Sequence, residues 1–378
     1  MDIARRSKYS VTFYEPSKAY DGYTLFSVAG RNDVWIINMQ GQIVHHWDLP
    51  YPAGEYGCLL SNGNLFYQGS VPIEEAPLPT FGGIGGHLLE VDWDNNLVSK
   101  YDDLYHTHDA QRMENGNFMI VRYVPAPKSI TSRVRGGIPG TEHEGTMWAN
   151  VLREVDPNTG KVAWEWLAYE HLDPESDIIC PLEQRIEWTH CNTVQILANG
   201  DILTSFRSIN TIAIIDKKTG DIKWKWGPGE LCHQHDPTML DSGNILVFDN
   251  GAHRRSSGPS YSRVLEVNPK TNRIEWEYKD NPVYEFFSGV AGGCQRLPNG
   301  NTLITESCLG RIFEVTLSGE LVWEFVNPFY SYWQDQHQNF IYRAYRYGPN
   351  YEGLKGKKLT PMRFNLLNQL YGPSAFEE

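Results

Sequence analysis

The chain has 378 residues, more than one ordinary domain, and its 40% hydrophobic and 21% charged residues exclude a disordered polymer. A formal charge of -13 with no Lys/Arg run argues against nucleic acid or an anionic membrane as partner. Aromatics at 13%, with 34 Gly and 22 Pro, favour strands and tight turns over helices.

The chain opens MDIARRSKYSVTF, with no apolar segment of the leader type. No stretch approaches the roughly 18 apolar residues of a spanning helix, so a cytoplasmic location is expected. A turn followed by an apolar strand then recurs six times. It reads DGYTLFS from Asp21, NGNLFYQ from Asn62, NGNFMIV from Asn115, NGDILTS from Asn199, SGNILVF from Ser242 and NGNTLIT from Asn299. A second signature, a turn and an aromatic strand, alternates with it. Its six copies are GQIVHHW, NNLVSKY, GKVAWEW, GDIKWKW, NRIEWEY and GELVWEF. One more short apolar strand lies between the two signatures and another before each first turn, so each unit is four strands. Asn-Gly is read as a two-residue hairpin turn with both central residues at positive φ. Six such units predict an all-β, six-bladed β-propeller of four-stranded blades. Residues 1–330 are assigned to a single propeller domain. Residues 331–378 are assigned to an aromatic-rich C-terminal extension packed on it, with a short helix beyond Trp333.

Both sets of signature turns are short and fall at one end of the blades. The opposite end receives the long connections, residues 71–86, 123–148, 168–189 and 251–262, and loops of that kind on a rigid scaffold carry function. The first strand of each unit, expected innermost, starts at that end. Unit 3 brings His106 and His108 there, with Arg122 and Tyr123. Unit 4 brings His190 and Asn192, with Arg207. Unit 5 brings His233 and His235, with Asn250, His253 and Arg254. Three consecutive units with histidine at one structural position mark that face as functional. His143, in a long loop, is a candidate lid residue. The six cysteines show no C-x-x-C spacing, so a zinc knuckle or redox pair is not expected. GGIGG over Gly82–Gly86 opens no helix and reads as a loop, and no P-loop, H-E-x-x-H or G-x-S-x-G motif occurs.

The strings EWTHCNTVQILANGDILTSFRS and HQHDPTMLDSGNILVFDNGAHR resemble the bacterial arylsulfotransferase family, and QNFIYRAYRYGPNYEGLKG looks like the C-terminal stretch of its smaller members. The resemblance runs from about Tyr20 to Lys358. It implies a propeller that moves a sulfuryl group between phenols through a transiently sulfated histidine, without a cofactor. By this resemblance His235 and Arg254 hold the sulfuryl oxygens, with His190, His108 and Arg207 as further catalytic residues. Asn192, Asn250, His253, Arg122, Tyr123, His106 and His233 form the substrate-binding set. The family's nucleophile is expected on the first strand of unit 6, but that entry reads FSGVAGGCQRL and offers only Cys294. A second reading is a metal-dependent lyase, hydrolase or oxidase with a transition metal on His108, His190 and His235. A third is a binding propeller without catalysis. The expected partner is a small aromatic or phenolic substrate, and the oligomeric state stays open.

Overall fold

The computed structural model describes residues 9–78, 83, 85–255, 258–333 and 336–372. Residues 1–8, read above as lacking an apolar leader, lie outside the described residues, as do Gly82 and Ile84 of the GGIGG string. The fold is an all-β propeller with six four-stranded antiparallel blades. Among the described residues no helix is long and apolar enough to cross a membrane.

The chain's contacts fall into two compact units. One comprises residues 1–70, 88–99 and 278–378 and holds blade 6, blade 1 and most of blade 2; the other comprises residues 71–87 and 100–277 and holds blades 3, 4 and 5. In the second unit, blade 3 runs His106–Arg112, Phe118–Pro125, Trp148–Val155 and Val162–Leu167. Blade 4 runs Cys191–Ile196, Ile202–Phe206, Thr211–Ile215 and Ile222–Trp226. Blade 5 runs His235–Met239, Ile245–Asp249, Arg263–Asn268 and Arg273–Tyr278. Second strands such as Ile202–Phe206 are buried on both faces, whereas fourth strands such as Ile222–Trp226 alternate between half-buried and exposed residues.

Repeated side-chain devices tie neighbouring blades. Gln111 accepts from the Ile196 backbone N–H at 2.6 Å, Gln195 from Met239 at 2.9 Å and, in the first unit, Gln295 from Arg346 at 2.7 Å. Each satisfies a backbone donor on the edge of the next sheet, which would otherwise be buried unpaired. The tryptophans of the aromatic signature act at the other edge. Trp166 donates to the Gly220 carbonyl at 2.9 Å, and Trp47 and Trp323 do the same to Asp92 and Met39. Gly220 sits at φ 81°, where a Cβ would strain the backbone, and the indole packs against that turn.

Two expectations are corrected. The Asn-Gly turns place only the glycine at positive φ, as at Gly63, Gly116, Gly200 and Gly300. The asparagine instead accepts a backbone N–H two residues on, as Asn62 does from Asn64 at 2.9 Å. The bonds Gly63 N–H to Leu60 O and Leu60 N–H to Asn64 O make a three-residue loop closed by a glycine bulge. The boundary at residue 330 also fails. Within the first unit, Ala344–Tyr347 is the first strand of blade 1, paired with Tyr23–Ser27, and Ser10–Tyr14 adds a fifth strand to blade 6. Both ends of the chain complete sheets because an open edge leaves backbone groups unpaired. The expected short helix is Asn365–Tyr371.

Candidate functional site

The histidines of blades 3, 4 and 5 all belong to the second unit. His108, His190 and His233 adopt left-handed backbone conformations, φ 56°, 52° and 64°, as does Asp236 at 53°. Non-glycine residues seldom adopt this region, and the ladder between first and second strands breaks register at these entries. The kinks turn successive histidines out of the strand alternation.

His235, His108 and His190 each have Nδ1 held by an oxygen. His235 Nδ1 lies 2.7 Å from Asn250 Oδ1 and 3.1 Å from the His233 carbonyl, so Nδ1 carries the proton and donates. Thr107 gives its hydroxyl proton to the Gly83 carbonyl at 2.8 Å, so its oxygen accepts from His108 Nδ1 at 2.5 Å. His190 Nδ1 donates to the Glu187 carboxylate. In the neutral form of each ring, Nε2 is therefore the lone-pair nitrogen. The His108 and His190 rings meet edge to face with centroids 4.4 Å apart. Burial, then the fields of His190, His235 and Arg207, hold His108 well below the usual histidine range. His190 is the most open of the three, its side chain 14% exposed, while His108 and His235 are 3% and 2% exposed as residues.

The glycine string acquires a purpose here. A Cβ on Gly83 would fall 2.4 Å from His108 Nδ1, and one on Gly85 would fall 2.1 Å from His106 Nδ1. Only glycine leaves room for both rings. His106 is buried, with neither ring nitrogen in an aligned hydrogen bond, and burial pushes it down to about 4.

Sequence reasoning missed the acidic partners, which come from the connection between blades 3 and 4. Its strand Ile179–Gln184 pairs in parallel with Gly136–Ile138, forming a small second layer from two of the predicted long loops. Arg185 fastens the pair, donating to the carbonyls of Gly136 at 2.6 Å and Val134 at 3.1 Å and to Glu142 at 2.7 Å. Glu183 accepts from Arg207 at 2.9 Å and stands 3.0 Å from His233 Nδ1. Burial alone would raise the Glu183 carboxyl, but His233 and Arg207 hold it well below the usual carboxylate range. Burial pushes His233 down to about 4 against the pull of Glu183. His143 lies in the same loop region, bridged to Thr146.

Several expected ligand-binding residues make contacts within the protein. Arg122 is paired with Asp103 at 2.9 Å and lies over the Tyr105 ring. Tyr123 packs with Leu78 in a small apolar cluster. Asn192 donates to the Gln234 carbonyl at 2.9 Å, and Arg254 is paired with Asp249 at 2.9 Å. Asn250 orients His235. Their polar groups are engaged by neighbours that sequence spacing did not reveal. His253 is exposed, edge to face with His233 at 4.6 Å, and its Nδ1 is 3.5 Å from Cys180 Sγ. In the first unit, Cys294 is buried at 3% exposure on the first strand of blade 6, and Glu306 is ion-paired with Arg311 at 3.0 Å.

Fold and geometry thus define a β-propeller protein whose blade entries carry oriented imidazoles beside a carboxylate-bearing loop layer. The chain belongs to the arylsulfotransferase (ASST) family, whose model matches residues 85–328. A search of the curated proteins returns no match. Among solved structures, a protein of unknown function from Bacteroides caccae shares 13% identity over 86% of this chain and 98% of its own, with a TM-score of 0.52. A streptogramin B lyase shares 10% identity over 90% and 94%, with a TM-score of 0.46. An inactive virginiamycin B lyase from Staphylococcus aureus, with Quinupristin, shares 12% over 91% and 89%, with a TM-score of 0.37. The first of these likenesses shows the fold.

Proposed function

We propose that the protein transfers a sulfuryl group from an aryl sulfate to a phenolic acceptor, with His190 as nucleophile. The observation that carries this is the Glu187 carboxylate behind His190 Nδ1, on the least buried of three imidazoles whose Nε2 holds the lone pair. In the first half-reaction the Nε2 lone pair forms a bond to sulfur, the sulfur–aryl oxygen bond breaks, and the phenolate leaves. Glu187 balances the positive charge that the N-sulfated ring acquires. In the second half-reaction the acceptor phenol gives its proton to solvent, which has protonated the departed phenolate, its oxygen bonds to sulfur, and the nitrogen–sulfur bond breaks to restore the imidazole. Arg207, held by Glu183, adds a fixed positive field for the equatorial oxygens.

The test is single-turnover mixing with an aryl sulfate and no acceptor, followed by intact-mass measurement. The expected result is one equivalent of released phenol and a protein heavier by one sulfuryl group, both lost in His190→Ala. Release of phenol in His190→Ala at the wild-type rate would overturn the assignment.

A further inference from the structure

We infer that the second unit holds a divalent transition-metal site made by Cys180, His233 and His253, with the ion class of zinc. One ligand atom from each residue lies within 4.8 Å of the other two. A tetrahedral ion with bonds of about 2.3 Å to sulfur and about 2.0–2.1 Å to nitrogen separates those two ligands by about 3.5 Å. Cys180 Sγ and His253 Nδ1 are 3.5 Å apart. The His233 and His253 rings meet edge to face at 76°, with centroids 4.6 Å apart.

His233 supplies the independent observation. It is wholly buried; its Nδ1 faces the Glu183 carboxylate at 3.0 Å, and its Nε2 is in no hydrogen bond. An imidazole desolvated in this way costs free energy unless something binds it. The Glu183 carboxylate, 3.0 Å from His233 Nδ1 and 3.8 Å from His253 Nδ1, supplies negative charge against Arg207 and leaves a fourth position for water or for itself. A thiolate and two imidazoles select a borderline ion such as Zn(II) over Mg(II) or Ca(II).

The three ligands come from separate pieces of chain. Cys180 is on the loop-layer strand Ile179–Gln184, His233 is at the entry to blade 5, and His253 is in the connection after Ile245–Asp249. An ion there fastens the loop layer to blade 5. It is distinct from the His108, His190 and His235 set, and it does not rest on sulfuryl transfer.

The experiment uses the full chain without a histidine tag, stripped of metal and titrated with Co(II) and then Zn(II). Expected are one equivalent bound per chain, a thiolate-to-cobalt charge-transfer band, and protection of Cys180 from alkylation by Zn(II). Cys180→Ser should abolish the band, and His253→Ala, a change at an exposed residue, should weaken binding at least 10-fold with unfolding of the metal-free protein unchanged. His108→Ala should bind as the wild type does. A band that persists in Cys180→Ser, or wild-type binding no tighter than that of His253→Ala, would overturn the site. Aryl-sulfate turnover is measured separately, so failure of either inference leaves the other standing.

Discussion

Glu187→Gln isolates the electrostatic role assigned to the loop layer. The substitution keeps the shape of the side chain and an oxygen able to accept from His190 Nδ1, and removes only the charge. That charge is 7% exposed, so water does little to screen it. Two unit charges about 4 Å apart at an effective dielectric of about 20 attract by about 4 kcal/mol, and measured hydrogen bonds to charged groups contribute about 1.5–3 kcal/mol. Taking the smaller range, with about 1.4 kcal/mol per tenfold, transfer should slow by about 10- to 150-fold. The loss should fall on formation of the sulfated enzyme, because the imidazole gains its positive charge in that step. The assay is the pre-steady-state burst of phenol from an aryl sulfate, with thermal unfolding to establish that the variant is folded. Glu187→Asp should recover part of the rate by returning the charge. A burst within twofold of wild type in a folded Glu187→Gln would refute the reasoning, since the carboxylate would then not sense the reacting ring.

Other consequences follow from the same geometry. His45 stacks on Trp93 at 3.7 Å, and burial, then Arg363 and His46, hold it down to about 3. Below an unfolded value of about 6.5 the unfolded chain takes up a proton that folded His45 refuses, so stability is full above that pH and falls as the pH drops toward 3. Between pH 7 and 5 wild type should lose about 2 kcal/mol more than His45→Phe, read from denaturant midpoints; equal losses would contradict the burial argument. Trp166→Ala removes a side chain 2% exposed together with its bond to Gly220, and should cost about 3–5 kcal/mol in chemical denaturation. Arg185→Ala unfastens the loop layer and should speed limited proteolysis in residues 136–142 by at least about tenfold, with the global unfolding midpoint little changed. Gly83→Ala drives a methyl group into His108 and should lower transfer far more than stability, whereas Gly116→Ala, where a Cβ meets nothing within 4 Å, should leave transfer unchanged.

The blades were legible in the sequence because their determinants are local. Alternating apolar residues, an Asx acceptor at the turn and a glycine at positive φ act over a few residues, so six copies announce six sheets. The histidines of blades 3, 4 and 5 could be found for the same reason: each holds a fixed offset from its own turn. The tertiary structure alone decided what those histidines face. Glu183, Glu187 and Cys180 lie in a connection with no repeat. Glu187 lies three residues before His190 and meets it locally, whereas Glu183 and Cys180 sit on Ile179–Gln184, which pairs with Gly136–Ile138 some forty residues earlier in the chain. Likewise Ala344–Tyr347 is too short to declare its sheet, and its place in blade 1 depends on an unpaired edge more than three hundred residues away. Hydrogen bonding within a hairpin is dictated by neighbouring residues, but the pairing of distant edges and the choice of a partner for a buried charge depend on the packing of the finished fold.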